Sequence, residues 1–244
     1  MANPCSTPTS DMLNPLALGI DFGTASARAV LADVRGGGVV AVAEHPYPDG
    51  VISETLPDGE EPLPPNRALQ NPADWLEATR QTVRSVLAES NTAPERVKGI
   101  GIDFTACTVL PTMSDGTPLC ECSSQASEPH AWPKLWKHHA AQPQADCINE
   151  QAAAHGVSWL ARYGGTISSE WLLPKALQML EEAPEIYEGA DQIVKEGDWV
   201  VWQLTGARAR SACMAGYKAN WHKQSGYPDP NFLASVTPSP QRNI

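Results

Sequence analysis

Three short apolar runs, each closed by a turn signal, open the ordered part of the chain, and they leave it little choice but an antiparallel meander. Leu16 to Asp21 ends in Phe22-Gly23-Thr24, Arg28 to Val34 runs into Gly36-Gly37-Gly38, and Val39 to His45 follows. Strands joined by turns this short lie side by side antiparallel, because a parallel neighbour needs a long crossover. Asn71-Pro72-Ala73-Asp74 then reads as a helix start, with a capping Asn, Pro at the first helical position and an acid at the positive end of the dipole. Trp75, Leu76, Thr79, Val83, Val86 and Leu87 recur at helical spacing, and Val97 to Phe104 returns to strand. Meander, helix, strand is the order of an α/β domain with a mixed sheet flanked by helices.

The Pro-rich stretch from Pro46 to Pro65 reads as an exposed excursion, and the chain from Glu128 onward as helical and aromatic. A short helix, Trp199 to Leu204, is opened by Asp198 and closed by Thr205-Gly206. Residues 1–15 and 234–244 read as loose tails around one domain over 16–233.

Composition narrows the function classes. With 42% hydrophobic residues in 244 the chain can bury a core, and a net charge of −11 argues against a broad nucleic-acid or anionic-membrane surface. The first fifteen residues have no basic n-region and no apolar run, and no later stretch approaches the roughly 20 apolar residues of a membrane span, so a cytoplasmic protein is expected. Six scattered cysteines, at 5, 107, 120, 122, 147 and 213, lack the spacing of a disulfide framework or zinc site and read as free thiols.

Asp21-Phe22-Gly23-Thr24-Ala25-Ser26-Ala27-Arg28 is the segment richest in chemistry. A glycine lets backbone amides approach an anion, Thr and Ser hydroxyls donate beside it, and an Asp at a strand end is placed to hold Mg²⁺ next to a transferred phosphoryl group. Taken alone, these residues fit an ordinary hairpin with a capping Asp equally well. There is no Walker A sequence and no Gly-x-Gly-x-x-Gly, so a hairpin is the phosphate-binding mode left. Gly-Ile-Asp-Phe occurs twice, at Gly19 to Phe22 and Gly101 to Phe104, as if two strands each delivered an Asp to a turn; chance repetition of a common strand ending is the other reading.

LGIDFGTASARAVL resembles the first phosphate-binding segment of the FGGY carbohydrate kinases, members of the actin, heat-shock ATPase and hexokinase superfamily. IGIDFTACTVLPTMSDGTPL, EPHAWPKLWKHHAAQ, YGGTISSEWLLPKALQML, VKEGDWVVWQLTG and GYKANWHK follow in the same order and are similar to the ribulokinase branch of that family. The resemblance covers about Leu16 to Leu233. It implies a ribonuclease H-like domain with a mixed sheet of five-stranded type. The implied reaction is transfer of the ATP γ-phosphoryl group to a terminal hydroxyl of a ketopentose, with L-ribulose favoured and L-arabinose catabolism as the setting. It further implies ATP and Mg²⁺ as cofactors, Asp21 on the metal side, and Gly23, Thr24, Ser26 and Arg28 on the nucleotide phosphates. On the sugar side it implies Thr105, Ala106 and Lys218. Without the resemblance Lys218 reads as a solvated surface charge, and Ala106 offers only shape and backbone. His130, His138 and His139 are expected to be structural, since adjacent positions on a helix point apart.

In the family the general-base aspartate and the main adenine grip lie beyond the last motif matched here. Asp198 and Asp229 are acids to which the resemblance gives no role. The chain therefore reads as an amino-terminal part with weak or no kinase activity alone. A non-catalytic sugar- or partner-binding remnant is the alternative, with self-association through the face left by the second domain.

Overall fold

The computed structural model describes residues 14–237, and what the sequence suggests for 1–13 and 238–244, Cys5 included, lies outside the described residues. The stretch expected as one domain divides into two compact units. The first takes residues 14–47 and Trp75–Asp103, the second Pro48–Asp74 and the chain from Phe104 onward.

In the first unit, β1 (Leu16–Phe22), β2 (Ser26–Asp33) and β3 (Val39–Pro46) form the expected meander, and β4 (Val97–Phe104) joins beside β1 to give the order β3-β2-β1-β4. The β1–β2 register sets Leu18 opposite Leu31 and Asp21 opposite Arg28. Strand β1 alternates strictly: Leu16, Leu18, Ile20 and Phe22 are buried, whereas Ala17, Gly19 and Asp21 are exposed. Helix α1 (Pro72–Glu89) turns a matching buried stripe inward, Trp75, Ala78, Thr82 and Val86. Each large apolar side chain taken out of water on these faces contributes about 1.5–3 kcal/mol. Thr79 and Thr82 are tolerated there because each hydroxyl donates to the carbonyl four residues back, at 2.8 Å and 2.7 Å. The predicted cap is present, Asn71 accepting from the Ala73 N–H at 3.0 Å.

In the second unit, β5 (Val109–Thr112) and β6 (Gln192–Lys195) make an antiparallel ribbon. The strands expected as one five-stranded sheet are thus divided into a sheet of four and a ribbon of two; all four residues of β5 are buried, and its partner is β6. Around the ribbon lie α2 (Gln142–Ala154), α3 (Leu172–Glu182), α4 (Pro184–Gly189), α5 (Glu196–Thr205), α6 (Ala212–Lys218) and α7 (Pro230–Val236). The core has two clusters, one around Leu160, Trp171, Leu177 and Phe232, the other around Leu69, Leu119, Trp132 and Met179.

Four local expectations change. The Pro-rich excursion is not simply exposed: Ile52 and Leu56 are buried in the second cluster, tied by bridges of Ile52 to Leu69 and Thr55 to Pro62. The chain after Glu128 is helical from Gln142 on, but between Glu128 and Gln142 only over the short 3-10 turn Pro129–Ala131. Pro133 biases Trp132 away from the helical region, and Lys134 continues extended, exchanging backbone hydrogen bonds with Val109 at 2.8 Å and 3.2 Å. Helix α5 begins with Lys195 at its cap rather than Asp198, whose carboxylate instead accepts from the Ser211 N–H at 2.8 Å. Helix α7 runs to Val236, three residues into the stretch expected to be loose, and Val236 is buried.

Candidate functional site

The residues expected on the phosphate side all belong to the first unit, on β1, β2 and the turn between them. Gly23 donates its N–H to the Ser26 carbonyl at 2.9 Å, and a Cβ at Gly23 would lie 3.1 Å from that oxygen, so the turn is tight enough that a side chain there would have to displace the carbonyl slightly. Ser26 and Arg28 share one partner: the Ser26 hydroxyl donates to Glu44 Oε1 at 2.7 Å, and Arg28 contacts both Glu44 oxygens at 3.3 Å. Glu44 raises the Arg28 pKa and Ser26 and Arg28 lower that of Glu44, but all are exposed and water screens the pair. Asp21 and Arg28 line an open groove of 450 Å³ together with Asp103, Gly19, Gly101 and Val30. The repeated Gly-Ile-Asp therefore has a spatial meaning, since its two copies lie on neighbouring strands and flank one groove.

The residues expected on the sugar side all belong to the second unit. Thr105, Ala106 and Cys107 form the turn between β4 and β5. The Thr105 hydroxyl lies 2.9 Å from Glu196 Oε2 and 2.7 Å from the Thr108 hydroxyl. With Thr105 donating to the Glu196 carboxylate it accepts from Thr108, and toward a substrate it is left with a lone pair. Lys195 Nζ donates to the Ala106 carbonyl at 2.7 Å, and Lys175 Nζ to that of Cys107 at 2.9 Å. Burial pushes the Cys107 thiol up, while Lys175, Lys218 and Lys195 pull it down; Cys107 shares a core cluster with Trp171, the ring beside which Lys218 lies. Lys218 is half-buried rather than solvated: its Nζ sits 4.9 Å from the ring centroids of both Trp171 and Tyr217. The structure thus brings Thr105, Ala106 and Lys218 into one neighbourhood. A larger apolar cavity of 580 Å³, lined by Leu172, Tyr187 and Ile193 among others, contains none of these residues.

The other polar residues singled out earlier have structural partners. Asp229 caps α7, accepting from the Asn231 N–H at 2.7 Å. Burial pushes both His130 and His138 down to about 2, so both are neutral. His138 accepts from the Ala68 N–H through Nδ1, which leaves Nε2 to donate to Gln178 Oε1 at 2.9 Å. Cys120 lies in the core, its thiol pushed up to about 12 by burial, and the described cysteines are free. Among the described residues no group of three or more His, Cys, Asp or Glu is arranged for a metal ion, and no helix is long and apolar enough to cross a membrane. Sequence reading missed Asp103, Trp171, Lys175, Lys195 and Glu196. The Gly-Ile-Asp echo was a signal for the first, and the charged pair opening VKEGDWVVWQLTG was one for the last two.

Residues 16–225 match the FGGY family of carbohydrate kinases, N-terminal domain. Among curated relatives, the chain is 51% identical over 213 residues to a protein named ribulokinase from Bacillus licheniformis, covering 87% of this chain and 39% of that relative. It is 51% identical over 223 residues to one of the same name from Mycolicibacterium smegmatis, with 91% and 39% covered. The chain thus spans about two fifths of the length of the curated relatives it matches. Among solved structures, a xylulose kinase from Rhodospirillum rubrum superposes with a TM-score of 0.67 at 20% identity, over 91% of this chain and 41% of that one. A glycerol kinase from Plasmodium falciparum, solved with ADP, superposes at 0.53 and 15%, over 84% and 41%. At such identities these structures speak for the fold, which is the mixed α/β fold of the sugar kinases. The chain belongs to the FGGY family of carbohydrate kinases and matches its amino-terminal domain.

Proposed function

We propose that this chain supplies the sugar side and part of the phosphate side of a kinase that transfers the ATP γ-phosphoryl group to a terminal hydroxyl of L-ribulose, giving L-ribulose 5-phosphate. The ordered likeness to proteins named ribulokinase, at about half identity across nearly the whole described chain, carries this reading. The turn Thr105 to Cys107 and Lys218 would hold the ketopentose. Thr105 accepts a hydrogen bond from a sugar hydroxyl, Lys218 donates one, and the methyl of Ala106 sets the width available. Gly23, Thr24, Ser26 and Arg28 would face the nucleotide phosphates, with Ser26 and Arg28 exchanging Glu44 for phosphate oxygens.

Mg²⁺ held among phosphates usually takes only one or two carboxylates, so Asp21, with Asp103 across the groove, fits an ion that arrives with its nucleotide. Bound there, it would neutralise charge developing on the phosphoryl oxygens. No residue of this chain is assigned the proton from the attacking hydroxyl. Cytoplasmic location is part of the same proposal. Self-association through the face left by the second domain belongs to the same proposal; the exposed Val39, Val40 and Val42 on the edge strand β3 offer a separate surface for it.

Saturation-transfer NMR on a mixture of L-ribulose, D-xylulose and glycerol tests the substrate assignment. Saturation concentrated on L-ribulose is expected, and equal saturation of all three, or none, would refute it.

A further inference from the structure

The turn proposed to line the sugar is held by buried charge. Lys175 is 0% exposed, Lys195 2% and Glu196 0%, and all three point their polar ends at this turn. Lys195 Nζ holds the Ala106 carbonyl at 2.7 Å. Lys175 Nζ reaches three carbonyls, of Cys107 and Leu135 at 2.9 Å and of Lys134 at 3.2 Å. Three acceptors use all three N–H groups of an ammonium. Glu196 works from the start of α5, with its carboxylate on the Thr105 hydroxyl at 2.9 Å and its backbone N–H on the Thr108 carbonyl at 3.1 Å. The turn closes on itself through the Thr108 N–H and the Thr105 carbonyl at 3.2 Å.

Burying three ionisable groups is a poor way to stabilise a core, because each loses its hydration and a well-packed apolar side chain does as well or better. What such groups supply is directional hydrogen bonding that packing cannot. We propose that Lys175, Lys195 and Glu196 are positioning residues which lock the turn Thr105 to Thr108 in the shape that receives the ketopentose. The inference rests on the reading of that turn as the sugar-lining one. By engaging the carbonyls of Ala106 and Cys107 and the hydroxyl proton of Thr105, the trio withdraws these groups from the ligand. Thr105 is left to act as an acceptor, and selectivity at Ala106 is left to shape.

The lysines also carry a pH signature. Burial pushes Lys175 down to about 7, with Lys195 and Lys134 lowering it further and Cys107 and Glu170 opposing. Burial pushes Lys195 down to about 8, with Lys218 adding to the shift and Cys107 and Asp198 opposing. A neutral Lys175 has two N–H groups for three carbonyls, so the lock loosens as pH rises past these values. Stability runs the other way: a folded pKa below the unfolded one makes the fold gain stability as pH rises between them. Affinity and stability therefore diverge with pH, which a merely structural role would not produce.

The test compares wild type with Lys195→Met and the volume-conserving Glu196→Gln. L-ribulose is titrated calorimetrically at about pH 6 and about pH 9, thermal midpoints are recorded, and amide exchange is followed over residues 105–112. The expected result is a wild-type affinity that weakens about tenfold toward high pH while the midpoint does not fall. Each variant should melt cooperatively, bind ribulose about tenfold more weakly at the lower pH, and exchange faster at Thr108 and Val109. Wild-type affinity and wild-type exchange in a folded variant would overturn the proposal. Should Lys195→Met not fold, Glu196→Gln is read by the same criteria. If the wild type binds no ketopentose, the sugar reading of the turn fails, and the exchange data decide the lock alone, unchanged protection overturning it.

Discussion

Gly197 shows how a single residue ties the candidate site to the fold. It lies in the first turn of α5, directly after Glu196, and a Cβ there would overlap the Phe104 ring. Gly197→Ala must push either the ring or the helix, so a loss of about 1–3 kcal/mol in a denaturant titration is expected; no loss would mean that the contact is slack. Lys218 offers a second residue-scale prediction. Held between Trp171 and Tyr217, it gains roughly 0.5–2 kcal/mol from the rings. Trp171→Leu should weaken L-ribulose binding by roughly 3- to 30-fold and Trp171→Phe by less, and equal affinity in all three proteins would remove the ring from the account. Individual residues were legible in the sequence only where a motif named them. Lys218 and the turn at Thr105 were singled out that way, but nothing in a linear reading separates Lys175 or Lys195 from the solvated lysines of a helix face. Their burial depends on acceptors some forty to ninety positions away.

At the scale of elements, pattern was a good guide where one physical rule acted alone. The meander, the capped α1 and the strand Val97–Phe104 followed from alternation, turn chemistry and capping. The stretch after Glu128 misled because its aromatics recur at helical spacing while Pro129 and Pro133 break the helix. The division of the strands between a sheet and a ribbon was illegible because β5 is short and buried at every residue, so its Val-Leu-Pro-Thr run names burial and not a partner. The buried polar elements also set a pH dependence. Burial pushes His130 and His138 down to about 2 and Lys134 and Lys175 down to about 7. In the unfolded chain the histidines bind protons below about 6.5 and the lysines below about 10.4, so the unfolded state holds more protons in both windows and stability rises with pH through each. The urea midpoint should be higher at about pH 9 than at about pH 5. A midpoint that falls over this range would show that these groups stay charged in the fold.

The family match over residues 16–225 makes the chain an FGGY carbohydrate kinase domain, and because it spans about two fifths of the length of its curated relatives the complete reaction is a proposal. With a net charge of −11, the proposed phosphate binding would fall to local groups, here the β1–β2 hairpin. A fluorescence titration with duplex DNA at about 0.1 M salt should show no saturable binding, and saturation would mean that a basic surface had been overlooked. The central claim is that the second unit carries a ketopentose site built on the turn at Thr105 and on Lys218. Calorimetric titration of L-ribulose into the wild-type chain and Lys218→Ala tests it most directly. Saturable binding by the wild type, weakened at least about tenfold in the folded variant, is the predicted result; identical affinities, or no heat from the wild type, would contradict it.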